Sequence, residues 1–183
     1  MLLKKDIITD KNPLLRRKSE DVNLPLSEED AKILDDLIEY IDNSQDPEIA
    51  EKYGLEPGVG IAAPQIGVLK KMFVVKAMDD KEVLHHYALV NPKIISNSVT
   101  PAYLQCGEGC LSVPNAHEGY VKRSYKIKIK AYDYISKQNV TLSLKGYVAI
   151  VVQHEYDHLF GILYYDRIDK NNPLQPIEGA YII

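Results

Sequence analysis

Tryptophan is absent from this 183-residue chain, and phenylalanine and cysteine occur only twice each. Two cysteines, Cys106 and Cys110, cannot make a disulfide-stapled scaffold, so stability must come from a packed core. A chain of 183 residues, 45% of them hydrophobic, predicts one domain over residues 1–183. No apolar run approaches the length of a membrane span, and Met1-Leu2-Leu3-Lys4-Lys5-Asp6 lacks the apolar stretch of a secretory signal. These absences predict a cytoplasmic protein, probing no membrane, whose cysteines serve as a metal ligand or as free thiols. A net charge of -4 with both signs interspersed predicts neither a basic face nor a polyacidic tail, and no nucleic acid-binding motif is apparent. Walker spacing with its lysine is missing, as are internal repeats and low-complexity segments.

What is present is Gln153-His154-Glu155-Tyr156-Asp157-His158, following an apolar run from Tyr147 to Val152. In a helix, His154 and His158 project from one face a turn apart, where both imidazoles can reach one metal ion. Glu155 then points beside that ion. In helices with this His-Glu-x-x-His spacing the histidines bind metal and the glutamate acts as general base on a metal-bound water. The apolar flank suits a helix buried in the middle of a domain. The alternative is a pair of satisfied structural histidines. A catalytic site needs a third protein ligand elsewhere, with a fourth position left open.

Earlier in the chain, Pro13 predicts a short helix at Asn12 to Arg17. Ser27 is a good N-cap, acidic residues follow it, and Ile33, Leu34, Leu37, Ile38 and Ile41 repeat at helical spacing. The polar stretch from Asn43 to Pro57 reads as an excursion or a short helix. Gly58 to Gly67 is a small-residue stretch that lets the backbone approach a ligand and leaves room around the amide of Gln65. Met72 to Ala77 and Val83 to Val90 read as a hairpin, with His85 and His86 structural or exposed.

Gly107 and Gly109 leave the backbone beside Cys110 free of obstruction, as a thiolate ligand or a nucleophile requires. The Cys106-to-Cys110 spacing is not a usual zinc-knuckle spacing. Residues 126 to 131 alternate lysine with apolar residues, a half-buried strand whose lysines read as a solvated face. A turn and a strand from Val140 to Leu144 complete a second hairpin that feeds the histidine-bearing helix. Ile162 to Tyr165 reads as a short strand. Pro173, Pro176 and Gly179 rule out a long terminal helix, and the apolar strip from Ala180 to Ile183 is expected to pack onto a sheet.

Three stretches, GVGIAAPQ at 58–65, EGCLS at 108–112 and QHEYDHLFG at 153–161, closely resemble the three motifs of the peptide deformylase family, in the same order. The long excursion before the first motif and the non-helical C-terminal segment resemble the second, Gram-positive class of that family. The resemblance implies that Cys110, His154 and His158 bind one divalent ion, iron(II) in the cell, with zinc, nickel or cobalt also compatible with such ligands. It implies that Glu155 carries the proton from water to the departing amine, and that Gln65 and the Leu111 N–H hold the oxyanion. It further implies an N-formylmethionyl nascent peptide as substrate, paired with backbone near Val59, Gly60 and Gly109. Its methionine side chain would enter an apolar pocket near Tyr147, Val151 and His154. Glu108 and Arg123 read as a supporting ion pair, as groups that help orient the peptide, or as a surface charge pair worth little. Docking on the ribosome, if used, would not employ a C-terminal helix, and a monomer is expected.

The expected fold is α+β, with antiparallel strands around the histidine-bearing helix and the Ser27 helix outside. Two other function classes compete. A zincin-type endopeptidase should have a third His or Glu ligand downstream, and no histidine follows His158. A metal-stabilised binding module should close its site with a fourth protein ligand, for which Cys106 is the candidate.

Overall fold

The computed structural model describes residues 1–183, and its elements follow the sequence signals closely. The chain forms a short 3-10 turn at Pro13–Arg16, then helices α1 (Glu28–Ser44) and α2 (Pro47–Tyr53). Strands β1 (Gly60–Ala62), β2 (Met72–Met78), β3 (Leu84–Asn97), β4 (Pro101–Tyr103), β5 (Arg123–Ser124), β6 (Lys126–Asp133) and β7 (Gln138–Lys145) come next. Helix α3 (Gly146–His158) and strand β8 (Tyr181–Ile182) complete it. No helix is long and apolar enough to cross a membrane.

Helix α1 begins where Ser27 accepts a hydrogen bond from the Asp30 N–H at 3.1 Å, satisfying one of the orphan donors of the first turn. Its apolar stripe, Leu34, Leu37 and Ile41, is fully buried. Asp46 caps α2 in the same way, from Glu48 and Ile49, so the polar excursion is a helix in its middle.

One sheet carries the order β1-β2-β3-β6-β7, antiparallel throughout. Because side chains alternate across a strand, its two faces collect different cores. On one face Met72, Val74, Ala88 and Val90 meet the stripe of α1. On the other, Phe73, Val75, Leu89, Ile127, Ile129 and Leu144 meet Val148, Val151 and Val152 of α3. Helix α3 is therefore sheathed by the sheet, as the apolar run predicts.

Three local expectations are corrected. The segment Ile162 to Tyr165 is not a strand: a 3-10 turn spans Tyr164–Arg167, because the Asp166 carboxylate accepts the Leu163 N–H at 2.8 Å and draws the chain into a turn. The strip at 180–183 does not lie on a sheet face. It adds as β8 to the edge of a second sheet, order β5-β4-β8, leaving Tyr181 and Ile182 more than half exposed at 52% and 58%. The β4–β8 pairing is parallel, the one departure from antiparallel order among the paired strands.

Candidate metal centre and substrate cavity

Helix α3 starts without a side-chain cap after Lys145 and is buried along most of its length. Beyond its end Gly161 turns the chain at φ 73, in space otherwise filled by the Arg16 backbone, so only glycine fits. On this rigid rod the His154 and His158 rings lie with centroids 5.1 Å apart. Cys110, on the loop between β4 and β5, places its Sγ 3.4 Å from His158 Nε2. One ligand atom from each of Cys110, His154 and His158 falls within 4.8 Å of the others, a spacing that one metal ion can bridge.

The tautomers suit such an ion. His154 Nδ1 bonds to Glu108 Oε2 at 2.9 Å, leaving Nε2 as the nitrogen free for coordination. Burial alone would lower the His154 pKa, but the bonds with Cys110 and Glu108 raise it well above the usual value. Burial, with repulsion from His154 and Arg123, keeps His158 well below it and hence neutral, the form that ligates. Of four buried side-chain polar atoms without a partner in the protein, two are here, His158 Nδ1 and Glu155 Oε2. A thiol and two imidazoles form a donor set for zinc, iron(II), nickel or cobalt rather than for magnesium or calcium.

Behind the histidines lies a buried charge network. Arg123 grips Glu108 with two parallel bonds, Nε to Oε1 and Nη2 to Oε2, each 2.8 Å. Its Nη1 donates to Asp157, which also accepts from Arg167. The Arg123 and Glu108 side chains are 1% and 4% exposed, so the surface-pair reading of Glu108 and Arg123 is overturned. Strand β5 carries Arg123 beneath the 108–112 loop and against α3, a placement decided by tertiary packing. Burial would push the Glu108 carboxyl up, but Arg123 and then His154 hold it down at about 2. Arg123 is correspondingly fixed as a cation by Glu108 and Asp157 against the cost of burial.

Glu155 has no such partner. Burial pushes its pKa up to about 7, with Glu108 adding to the shift and His154 and Arg123 opposing it. Its carboxyl lies against Gly60, where an added Cβ would sit 2.5 Å from Oε1. Gln65 is orientated from the other side. Its Oε1 must accept the Ala62 N–H at 2.8 Å, which turns Nε2 toward Ser112 Oγ at 3.1 Å and Cys110 Sγ at 3.6 Å. The Leu111 N–H makes no hydrogen bond within the protein.

A cavity of about 660 Å³ opens over this centre. Val59, Gly60, Gly109, Cys110, Leu111, Tyr147, Val151, His154 and Glu155 all line it, so nine of the residues singled out in the sequence converge. Gln65, His158 and Arg123 are buried and are not among the residues lining it. Strand β1, an end strand of the sheet, presents Gly60 along one wall, with Val59 just before it. Sequence reasoning missed Ile150, Leu104 and Ile183 in the lining, and Tyr164, whose ring stacks 6.1 Å from that of His154. Ile150 was findable, one helical turn before His154. Leu104 and Ile183 arrive through the β4–β8 region and leave no local signal.

A helix-borne histidine pair, a facing thiol and a buried carboxyl poised near neutrality, gathered beneath one cavity, define a metal-dependent hydrolase. Residues 4–173 match the family model described as polypeptide deformylase. Peptide deformylase 2 of Bacillus anthracis is 52% identical over 180 residues, 98% of this chain and 97% of that protein. The crystal structure of peptide deformylase from Thermotoga maritima superposes with a TM-score of 0.69 at 32% identity, covering 89% of this chain and 96% of that one. A Met-Ala-Ser-bound structure of the class I type b peptide deformylase from Acinetobacter baumannii gives a TM-score of 0.69 at 28% identity, covering 88% and 96%. The chain belongs to the peptide deformylase family. It is a metal-dependent hydrolase that acts on formylmethionyl peptides, and its Bacillus relative agrees with the Gram-positive class suggested by the excursion before the first motif and the non-helical C-terminal segment.

Proposed function

We propose that Cys110, His154 and His158 hold one divalent ion per chain, iron(II) in the cell, and that the cavity above it receives the N-terminus of a formylated nascent peptide. The observation that carries this assignment is the convergence of three ligand atoms within 4.8 Å beside an unpartnered buried carboxyl. When bound, the ion supplies Lewis acidity and brings the pKa of water toward neutrality.

The chain's own groups do the rest. Glu155 takes the proton of the attacking water and delivers it to the departing amine nitrogen, a task suited to a carboxyl whose pKa is about 7. Gln65 Nε2, held by the Ala62 bond, and the free Leu111 N–H donate to the oxygen of the formyl group as it gains charge. Backbone at Val59, Gly60 and Gly109 pairs with the extended peptide, the mode that an exposed strand edge offers. Tyr147 and Val151, on the His154 face of α3, form the apolar pocket for the methionine side chain. Arg123 acts through Glu108, fixing the His154 ring rather than touching the peptide. The Met-Ala-Ser occupant of the Acinetobacter relative has the chemistry of a deformylated product, which supports a methionine-led peptide as the occupant of this cavity. We further assign the protein to the cytoplasm as a monomeric single domain that meets its substrate near the ribosomal exit without a C-terminal helix.

The test is formate release from a short N-formylmethionyl peptide by anaerobically prepared protein, resupplied with iron(II), nickel or zinc. At equal metal content, Glu155→Ala should release formate about 100- to 10,000-fold more slowly than the wild type. Equal rates would remove Glu155 from the proton path.

A further inference from the structure

Helix α1 covers only part of one sheet face. Its strand contacts are mainly with β1 and β2, and the fully buried core beneath it ends at Ala88 and Val90 of β3, with Tyr132 of β6 packed against its rim. Beyond that point the same face, now made by β3, β6 and β7, is open to solvent and carries Lys93, Lys126, Lys128, Lys130 and Lys145, all exposed. The strand register brings like charges together: Lys93 lies directly opposite Lys130, and Lys126 directly opposite Lys145. Such pairs destabilise a sheet. Only Lys145 has a carboxylate near it, Asp80 at 4.0 Å, and the other four form no ion pair. The remaining cross-strand partners on this face are Ser96, Ser143, Thr141 and Asn139, and none is acidic. A depression of about 430 Å³ lies among Lys93, Lys130, Asn139 and Thr141. The net charge of -4 therefore averages over a segregated basic face, in which strand pairing adds Lys93 and Lys145 to the lysines of β6 that the alternating sequence already shows.

Protection of a sheet edge does not account for it. Edge strands are guarded by lysine, but three of these lysines stand on β6, an interior strand paired on both sides. Repulsion kept in place on an interior strand is relieved by a polyanion. Lysines interspersed with hydroxyl and amide side chains are the groups that contact phosphate and sugar oxygens. The exposed aliphatic side chains here, Ile95 on β3 and Leu24 beside the depression, stand singly and form no continuous apolar face to enter a bilayer, which separates this face from a membrane-surface element.

We propose that the β3–β6–β7 lysine face binds the phosphate backbone of structured RNA. The opposite face of β6 packs on α3 through Ile127 and Ile129, so RNA bound here leaves the catalytic cavity free. The proposal rests on the nascent-peptide reading for where such RNA is met, since that substrate is made on RNA, and not for the binding itself.

The test is titration of metal-loaded, full-length protein into a labelled RNA duplex of about 20 base pairs, long enough for a shape-reading contact. Five phosphate contacts give a log–log salt slope of about -4, a loss of about a few hundredfold in affinity between roughly 50 and 200 mM salt. The triple variant K126Q/K128Q/K130Q should lose most of that slope, falling about tenfold or less over the same range, and the triple Lys→Arg variant should retain it. Both should release formate from a free formyl peptide as the wild type does. Gln-variant binding equal to wild type, binding insensitive to salt, or tighter binding to phosphatidylserine vesicles than to RNA would each overturn the proposal. Thermal unfolding checks that the Gln variant is folded, and a folded variant that still binds with the wild-type slope counts against the face. If RNA binds as expected but the wild type releases no formate, the peptide reading fails and the RNA face stands.

Discussion

The two long helices carry most of their acidic side chains in opposite settings. In α1, Glu28, Glu29, Asp35 and Glu39 face water, the one buried carboxylate, Asp30, is paired with Lys70, Ser27 caps the first turn, and the pair Lys32–Asp36 joins successive turns. In α3 there is no side-chain cap, the flanks are apolar, and Glu155, Asp157 and His158 are all buried. An exposed charge on α1 is worth tenths of a kcal/mol whether or not it has a partner. A charge on α3 needs a specific partner, and the missing partner is informative. Asp157 is neutralised by two arginines and acts structurally, whereas Glu155 is left alone and becomes reactive.

That contrast can be broken by substitution. The largest effect is expected at the network behind the metal centre. Arg123→Ala leaves two buried carboxylates facing a lost cation and should reduce unfolding free energy by about 3–5 kcal/mol in urea titrations, and weaken metal affinity about 10- to 100-fold. A loss below 1 kcal/mol would put this network in the same category as the exposed pairs of α1. Next comes Gln65→Leu, which removes one donor to the developing oxyanion. Its kcat should fall about 100- to 1,000-fold, near 3 kcal/mol of barrier, with KM little changed. A change confined to KM would instead place Gln65 in ground-state binding.

The metal-free protein sharpens the comparison through pH. The folded Glu155 carboxyl titrates at about 7, above its value of 4.5 in an unfolded chain. Between those values the unfolded state has already released the proton that the folded state retains, so stability is lost as pH rises through this window. The loss by pH 8 amounts to about 3 kcal/mol at most, and metal-free Glu155→Gln should lack it. Parallel pH profiles for the two proteins would mean that burial does not set this carboxyl. Glu108, held at about 2, behaves in the opposite sense, its contribution being present above 4.5 and lost toward pH 2. The smallest effect belongs to α1. Ser27→Ala should cost about 1 kcal/mol of stability and leave formate release unchanged.

Legibility followed the range over which each signal acts. Ser27, the Leu34–Leu37–Ile41 stripe and the two hairpins rest on neighbours within one or two turns, and the structure reproduces them. Motif spacing on α3 likewise determined that His154 and His158 share a face, whereas Val151 entered only through the family resemblance. Failures occurred where a side chain redirected its own backbone, as Asp166 does at Tyr164–Arg167, or where distant strands met, as β8 does at β4.

The sequence by itself determined the helix that bears the two histidines and the α+β character of the chain, because helical and strand periods are local properties, while the thiol and amide that join it were implied by the resemblance of the motifs to a known family. Only the tertiary structure decided that Arg123 would be a buried anchor rather than a surface charge, that Ile183 would line the cavity, and that five lysines would share one uncovered face. Each of those depends on which distant segment covers which surface. Burial changes the energy of a charge by several kcal/mol while leaving no mark on the residues adjacent to it in the chain.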